Sequence, residues 1–384
     1  MPDANQFPQF SESEMINRHR VMRQIMEDAK VDAALIFGAG RFASDVYWLT
    51  DWPGGREAYV LCQPAADPVV LAQLYNHVPM ARVLSWVKDV RWAGPSTAAT
   101  VVELLRERRL DGKRVGLVGA IPFQHFQRIR EACPAAELID LGGRLRSARA
   151  IRSDEEIERL KMASKLTDDS IRALADALKP GLREYELPAV LEPVYLKAGG
   201  YAGIHFMTSM PMRAPNFPVP SQFQSNRTLA VGDCVITEIS GAYWGYSGQI
   251  HRTFSLGEGP TPEWRALHDA AVEAFEVIVG LIKDGTSTRE VEEASEVIHR
   301  RGYSIYDDLL HGASQYPPII QTRSTSRREG GDMTFRENMV ITIQPNVITR
   351  DERMGLQFGE TVVVRRAGCE PLNAIPREWI VCEG

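Results

Sequence analysis

In residues 1–152, short apolar runs alternate with longer amphipathic stretches. The runs predict buried strands at 33–37, 59–62, 69–73, 115–118 and 137–141. Apolar residues at helical spacing predict helices at 97–109 and 123–132, and a further helix after Ser11, whose spacing from Glu14 is that of a capping box. Strands that alternate with helices predict a three-layer α/β domain.

The pattern changes after Ser153, which precedes three acidic residues and a long amphipathic stretch. This is a typical helix start, and we place the domain boundary there, giving domains 1–152 and 153–384. Further along, strand-like stretches occur at 204–209, 233–240, 246–256, 339–348 and 360–364, with helical stretches at 261–283 and 288–301. Strands and helices in separate blocks predict an α+β domain in which helices cover a large mixed sheet.

The composition is that of an ordinary globular protein: 384 residues, 44% hydrophobic and 24% charged. A net charge of -6 without a dense basic run argues against a nucleic-acid partner. No apolar run approaches the roughly 20 residues that span a bilayer, so we expect no membrane association. The 5 cysteines are scattered and odd in number, which favours a reducing, cytoplasmic location over a disulfide framework.

Candidate chemistry is concentrated in the second domain. Two strand segments flank a glycine-containing turn, so a hairpin would bring Glu238 and Gln249 face to face. A carboxylate between apolar neighbours on a central strand is expected to be buried, and a buried carboxylate needs a partner or serves chemistry. Further polar pieces follow in the order His251, His311-Gly312, Gln344-Pro345 and Gly359-Glu360.

These pieces, in this order, resemble the pita-bread superfamily, which includes aminopeptidase P, prolidase, methionine aminopeptidase and creatinase. The resemblance covers nearly the whole chain and implies an α/β N-terminal domain followed by an α+β pita-bread C-terminal domain. Metallopeptidases of this superfamily bind two divalent ions through Asp, Asp, His, Glu and Glu. In this chain the matching positions hold, in order, Glu238, Gln249, His311, Gln344 and Gly359, with Glu360 next to the last.

The charges at these positions argue against the dinuclear centre. Four carboxylates balance two dications in the metallopeptidases, whereas here Glu238 is the one carboxylate retained at the five positions. Glutamine is a weak, neutral ligand, and burying dications among neutral groups is very costly. We therefore expect no metal ion and no other cofactor; a single ion held by His311 and Glu238 is the alternative.

Creatinase is the member of the superfamily that works without metal, and it is the closest in character. The resemblance implies a homodimer in which Arg56, after Trp52-Pro-Gly-Gly, binds the substrate carboxylate in the neighbouring subunit. His251 occupies the place where creatinase carries an acidic residue. The histidine that creatinase and the peptidases carry upstream of the Gly-Asp pair is absent, because segment 215–221 contains none.

The hypothesis is a metal-independent hydrolase that cleaves a C–N bond of a small, polar, carboxylate-bearing compound. His251 and His311 would carry protons, and Glu238 would orient one of them or the water. His205 is the alternative proton carrier, since its strand enters the segment that lacks the expected histidine. The residues expected to contact substrate are Arg56, Gln249, Gln344, Glu360 and Tyr246.

Each of these assignments has a structural alternative. The histidines can be satisfied core residues, the two glutamines can be relics that bond to each other, and Tyr246 can simply pack in the hairpin. Two other functions also fit the sequence. One is a lyase of the same fold with His251 as its base, and the other is a binding protein that has lost its metal and kept its pocket.

Overall fold

The computed structural model describes residues 6–42, 44–313, 316–326 and 332–383. The chain divides into two units, Met1–Arg149 and Ala150–Gly384. The boundary expected from the sequence, between residues 152 and 153, falls just inside the second unit. No helix in the described ranges is long and apolar enough to cross a membrane.

The first unit is built on a six-stranded mixed sheet in the order β4-β3-β2-β1-β5-β6. Its strands are β1 (Ala33–Gly38), β2 (Ala58–Gln63), β3 (Ala66–Ala72), β4 (Asp89–Trp92), β5 (Arg114–Val118) and β6 (Glu137–Asp140). Its helices are α1 (Glu12–Ala29), α2 (Ser44–Thr50), α3 (Val78–Leu84), α4 (Thr97–Glu107), α5 (Phe123–Ala132) and α6 (Gly142–Arg149). The capping box signal is confirmed in part, because the Ser11 side chain accepts a hydrogen bond from the Glu14 N–H.

Both faces of this sheet are covered. Along β1, Ala34 and Ile36 belong to one hydrophobic cluster, and Leu35 and Phe37 belong to another. Successive side chains of a strand point to opposite faces, so an apolar strand of this kind must have a layer on each side. The predicted three-layer α/β arrangement is therefore confirmed.

The second unit begins with α7 (Asp154–Ala177) and α8 (Pro188–Lys197). Its strands are β7 (Tyr201–Pro211), β8 (Asp233–Tyr243), β9 (Tyr246–Ser247), β10 (Ile250–Leu256), β11 (Ser304–Ile305), β12 (Leu310–Gly312), β13 (Tyr316–Ile320), β14 (Val340–Ile343), β15 (Asn346–Ile348), β16 (Gly355–Gln357), β17 (Gly359–Arg365), β18 (Gly368–Pro371) and β19 (Ile380–Cys382). Its other helices are α9 (Pro262–Leu281), α10 (Thr288–Ala294) and α11 (Val297–Arg300).

Among the described residues, ten strands of this unit form one curled, mainly antiparallel sheet. Its path runs β13-β12-β14-β17-β10-β8-β7, while β9, β18 and β19 pair at its side. A smaller sheet has the order β11-β15-β16. This is the half-barrel of the pita-bread fold, and the predicted fold class is confirmed for both units.

Three predicted elements are divided in the structure, each for a local reason. The helix expected at 288–301 is two helices, and the Ser295 hydroxyl between them bonds the Glu292 carbonyl at 2.8 Å. The strand expected at 339–348 divides at Pro345, which has no N–H for the ladder. The strand expected at 246–256 divides at Gly248, where a Cβ atom would collide with the backbone of Ser164 on α7.

A buried carboxylate fixes the segment that follows β7. Glu184 is 4% exposed and accepts hydrogen bonds from the backbone N–H groups of Ser209 at 2.6 Å and Ser225 at 2.8 Å. The hydroxyl groups of both serines bond the same carboxylate at 2.5 Å. Burial alone would raise the pKa of Glu184, but these hydrogen bonds outweigh it and hold that pKa below its usual value.

This arrangement predicts a stability loss in Glu184→Gln. Because hydrogen bonds to an ionised group contribute about 1.5–3 kcal/mol, the free energy of unfolding should fall by about 2 kcal/mol near neutral pH in urea denaturation. A carboxyl group whose pKa is lowered by folding stabilises the fold at pH values above its unfolded-state pKa. This stabilisation is lost as the pH falls through the folded-state pKa, so the difference in unfolding free energy between wild type and Glu184→Gln should shrink in acid. Glu383→Gln, at an exposed position, is the matched control. An equal loss in both variants would contradict the prediction.

Candidate active site

The strand register brings the predicted polar residues onto one face of the large sheet. Glu238 on β8 lies opposite His251 on β10, and His251 lies opposite Gly359 on β17. Residues that are directly opposite in an antiparallel pair direct their side chains to the same face. Gln249 immediately precedes β10, and Gln344 immediately follows β14.

The Gln249 side chain joins this group into one hydrogen-bond network. Its Nε2 atom donates to Glu238 Oε1 at 2.8 Å and to Gln344 Oε1 at 3.2 Å. An amide nitrogen has two hydrogens, so both are used, and the His251 Nε2 atom at 3.4 Å receives neither of them. Reversing the Gln249 amide would set its oxygen against two other oxygens, so the orientation is fixed. The predicted contact between Glu238 and Gln249 is present.

His251 fills the space beside Gly359. The ring is fully buried, with its Nε2 atom 3.8 Å from Glu238 Oε2. Its Nδ1 atom has no hydrogen-bond partner in the described part of the chain. A Cβ atom at residue 359 would lie 2.9 Å from this Nδ1 atom and would collide with the Ile343 carbonyl. A side chain at residue 359 is therefore excluded by the backbone of the neighbouring strand as well as by the imidazole.

His311 on β12 is held as a neutral base. The residue is 5% exposed, and its Nδ1 atom donates to the Gly312 carbonyl oxygen at 2.9 Å. Burial is the largest effect and lowers the pKa of His311. The Gly312 carbonyl opposes it, the nearby His251 lowers the pKa further, and Glu238 and a hydrogen bond with the Gln344 side chain raise it. With Nδ1 carrying the hydrogen, the Nε2 lone pair is available to accept a proton near neutral pH.

The residues at the family's five metal-binding positions do not fit a pair of divalent ions. The Gln249 amide directs N–H groups, rather than lone pairs, at the Glu238 and Gln344 oxygens that would face a cation. Gly359 offers no side-chain ligand, and a side chain there would collide with the Ile343 carbonyl and with the His251 ring. In residues 6–42, 44–313, 316–326 and 332–383, no group of three or more His, Cys, Asp or Glu side chains is arranged to hold a metal ion.

Glu360 lies on the other face of the sheet. It pairs with Ile250, the neighbour of His251, and its Oε1 atom accepts a hydrogen bond from Arg252 at 2.6 Å. Arg252 is 1% exposed, bonds the carbonyl oxygens of His251 at 3.0 Å and Gly359 at 3.2 Å, and lies over the Phe358 ring. The structure thus places Glu360 in a buried ion pair that supports the strands, rather than beside the expected substrate. Sequence reasoning missed Arg252, although it directly follows His251.

Three other expected site residues lie outside the cluster. His205 pairs with Ile239, so it faces away from Glu238, and it stacks on Tyr195 with the ring centroids 5.7 Å apart. The Tyr246 hydroxyl donates to Glu156 on α7 at 2.9 Å. Arg56 is exposed and belongs to the first unit.

Asp308 is an acidic residue with an unusual environment that sequence reasoning did not single out. It lies between β11 and β12, and its Oδ2 atom is buried. Burial raises the pKa of Asp308 to about 8, with further contributions from Asp307 and from Glu238. The signal available in the sequence was the Asp307-Asp308 pair before His311. It was not used because two adjacent aspartates are also typical of an ordinary solvated turn.

Comparisons with known proteins agree with this geometry. A model of the creatinase/prolidase N-terminal domain matches residues 18–151, and the model of metallopeptidase family M24 matches residues 158–366. The Xaa-Pro dipeptidase of Pyrococcus furiosus is 26% identical over 69% of this chain and 75% of its own. The ectoine hydrolase of Halomonas elongata is 25% identical over 67% of this chain and 66% of its own.

The same fold is found in solved structures. That of the X-Pro aminopeptidase from Thermotoga maritima superimposes with a TM-score of 0.81, covering 94% of this chain and 99% of the other, at 22% identity. Since the family model spans more than half of the chain and lies on the unit that carries the Glu238–Gln249–Gln344 network, the chain belongs to metallopeptidase family M24.

Proposed function

We propose that this protein hydrolyses a C–N bond of a small, polar, carboxylate-bearing compound without a metal ion, in the manner of creatinase. The Gln249 amide is the observation that carries the proposal. Its two N–H groups bond Glu238 and Gln344 at positions where the family's peptidases bind cations. With no cation to polarise the substrate or to ionise water, the reaction depends on acid–base catalysis by the cluster.

His311 is the base in this mechanism. Its Nδ1–H is bonded to Gly312, and its lowered pKa leaves the Nε2 lone pair free near neutral pH. His311 takes a proton from water as the water oxygen attacks the substrate carbon. A positioned base of this kind accelerates a reaction by about 10²–10⁴-fold.

His251 and Glu238 act together beside His311. The Glu238 carboxylate orients the imidazole ring of His251. The carboxylate itself accepts a hydrogen bond from Gln249, so the Glu238 side chain cannot rotate freely away from the substrate. His251 carries a proton between Glu238 and the bound substrate, and Gln344 offers its amide for hydrogen bonding. The strands that carry these groups, β8, β10 and β14, belong to one sheet in which β17 separates β10 from β14, and this common support favours catalysis because little reorganisation is needed.

The relatives name two kinds of substrate. The Pyrococcus protein is an Xaa-Pro dipeptidase, whereas the Halomonas protein is a hydrolase of ectoine. Replacement of carboxylates by Gln249 and Gln344 at the metal-binding positions favours the second kind for this chain. The test is a panel of amidines, amides and lactams that includes ectoine, with Xaa-Pro dipeptides alongside.

The same panel separates the rival functions. Hydrolysis in ¹⁸O-labelled water places the label in the product, whereas a lyase that uses His251 as base leaves the product unlabelled. A protein that only binds gives heat of binding in calorimetry and no turnover. Labelled product from a non-peptide compound is the expected result, and turnover of Xaa-Pro dipeptides alone would overturn the proposal.

Activity should not depend on a metal ion. Protein purified without added metal should contain substoichiometric zinc, manganese, iron and cobalt by elemental analysis. Treatment with a chelator should leave kcat/KM unchanged, because Gln249 and Gln344 are already bonded to each other. Activity that a chelator abolishes and that an added metal ion restores would contradict the prediction.

His311→Asn and His251→Asn should each lower kcat by about 100-fold with the fold retained in circular dichroism. His205→Asn is the matched control, since His205 stacks on Tyr195 away from the cluster, and its kcat should change little. A base works when deprotonated, and burial lowers the pKa of His311 below 6.5. The acidic limb of the wild-type pH–rate profile should therefore lie below pH 6.5. Loss of turnover in His205→Asn alone would transfer the role to His205.

Arg56 should bind the substrate carboxylate in the partner subunit of a homodimer. Arg56→Ala should raise KM for a carboxylate substrate more than it lowers kcat, because the contact is shared by the ground and transition states. Arg128→Ala, at another exposed arginine of the first unit, is the control. Light scattering should give the mass of a dimer, and a monomer with full activity would contradict this assignment.

A further inference from the structure

The ladder that carries Gln344 continues beyond the large sheet. β14 pairs with β17, and β15 pairs with β16 in the same register, so that Asn346 lies opposite Gln357. Between β14 and β15, the Phe358 N–H bonds the Pro345 carbonyl oxygen at 3.2 Å. One antiparallel ladder therefore passes through both sheets. We call Asn346 and Gln357, which lie two residues beyond Gln344 in this ladder, the amide pair.

The amide pair lies on the same face of the ladder as the hydrogen-bond network. Side chains alternate between the two faces along a strand. The positions that alternate with the amide pair and with Gln344 are apolar and pack in one hydrophobic core: Ile341, Ile343, Val347, Leu356, Phe358 and Val362. On the polar face, the Thr361 hydroxyl bonds the backbone N–H and C=O of Gln249 at 3.1 and 3.0 Å. Two residues along a strand span about 7 Å, so a small molecule at Gln344 reaches the amide pair.

His251 and Pro218 bound the amide pair along the ladder. On one side is Gly359, where a Cβ atom would lie 2.9 Å from the Nδ1 atom of His251. On the other side is Gly355, where a Cβ atom would collide with the Pro218 carbonyl. The Asn346 Nδ2 atom donates to the same carbonyl oxygen at 3.4 Å. The amide pair is thus enclosed between the proposed proton carrier and the segment that follows β7.

The side-chain oxygens of the amide pair have no hydrogen-bond donor among the described residues. Asn346 is fully buried, and its Nδ2 atom donates to the carbonyl oxygens of Leu356 at 3.2 Å and Pro218 at 3.4 Å. These two bonds fix the orientation of the amide and leave its Oδ1 atom without a donor. Gln357 is 2% exposed, and its Oε1 atom is buried in the same condition. Two carbonyl oxygens cannot bond each other, and buried acceptors without donors are costly.

One hydroxyl group near the amide pair does not meet this demand. Thr253 lies two residues after His251 on β10, on the same face of that strand, and β16 lies against β10. Its Oγ1 atom is buried and also lacks a partner within the described part of the chain. A hydroxyl group has one hydrogen, whereas each amide oxygen has two lone pairs. The acceptors here therefore outnumber the hydrogens that the protein supplies.

We infer that the amide pair binds an unalkylated –NH2 group of the substrate and thereby selects compounds that carry one. The inference rests on the proposed hydrolase function, and it names the part of the substrate that is held away from the reacting bond. Two hydrogens on one nitrogen match two acceptor oxygens, one from each strand of the ladder. Primary amides and amidinium ions share this chemistry.

The test is Gln357→Met, which keeps the length of the side chain and removes the acceptor oxygen. Asn346 is left unchanged, because its Nδ2 hydrogen bonds hold the chain around it. Saturation-transfer NMR measures the binding of acetamide and of acetamidinium without any turnover. Both should bind the wild-type protein, and their dissociation constants should rise about 10-fold in Gln357→Met, the effect of losing one hydrogen bond.

N-methylated probes report the contribution of the hydrogens themselves. N,N-dimethylacetamide and tetramethylacetamidinium have no N–H group, so they should bind at least about 10-fold more weakly than the parent compounds. Their affinities should not respond to Gln357→Met. Gln127→Met, at an exposed position on α5 of the first unit, is the control for the substitution and should bind all four probes as the wild type does.

Gln357→Glu is the second variant, and it keeps the acceptor oxygens while adding a negative charge. Acetamidinium should bind it more tightly than it binds the wild type, because the new carboxylate attracts the cation. This variant also keeps the test decisive if Gln357→Met does not fold. Loss of acetamidinium binding in a folded Gln357→Glu protein would mean that residue 357 donates to the ligand, and it would overturn the inference.

The outcomes separate the inference from the hydrolase proposal. Acetamide and acetamidinium that do not bind, that bind no better than their methylated forms, or that bind Gln357→Met unchanged overturn the inference. That is the result expected if the amide pair holds only buried water, and it leaves the hydrolase proposal standing. Selective binding of the –NH2 probes without turnover of any compound in the substrate panel supports the amide pair as a binding site and overturns the hydrolase proposal.

Discussion

The pair of N–H groups on Gln249 organises the centre of the second unit. One bonds the carboxylate of Glu238 and the other bonds the amide oxygen of Gln344, so a single side chain ties β8 to the end of β14. Because these donors take the place of ligand lone pairs, the positions that bind cations elsewhere in the family become a closed hydrogen-bond network. His251 is fully buried beside this network, and burial is the largest of the effects that lower the pKa of His311.

A second layer of interactions lies behind the network. The guanidinium of Arg252 bonds the carbonyl oxygens of His251 and Gly359 and forms an ion pair with Glu360. Arg377 adds a second positive charge, 3.7 Å from Glu360. β10 and β17 are thus held together from the face of the sheet opposite His251.

Most of the strands were predictable because their apolar runs are long and bounded by turns. The contact between Glu238 and Gln249 was predictable for the same reason, since a hairpin leaves few alternatives. The sheet faces on which His205 and Glu360 lie were not predictable. A shift of one residue in register moves every side chain of a strand to the opposite face, and the register is set by pairing across the sheet. The raised pKa of Asp308 was not predictable either, because burial, its largest cause, is set by how the folded chain packs around it.

Gly359 also constrains how such a protein can change over time. A glutamate at that position would need the volume that the His251 ring now fills, and it would collide with the Ile343 carbonyl. The two tightest contacts of such a side chain are with the backbone of Ile343 and Gln344, so a change of His251 alone does not make room for it. A substitution at residue 359 requires β14 to move away from β17, and the spacing of these two strands therefore keeps this position a glycine.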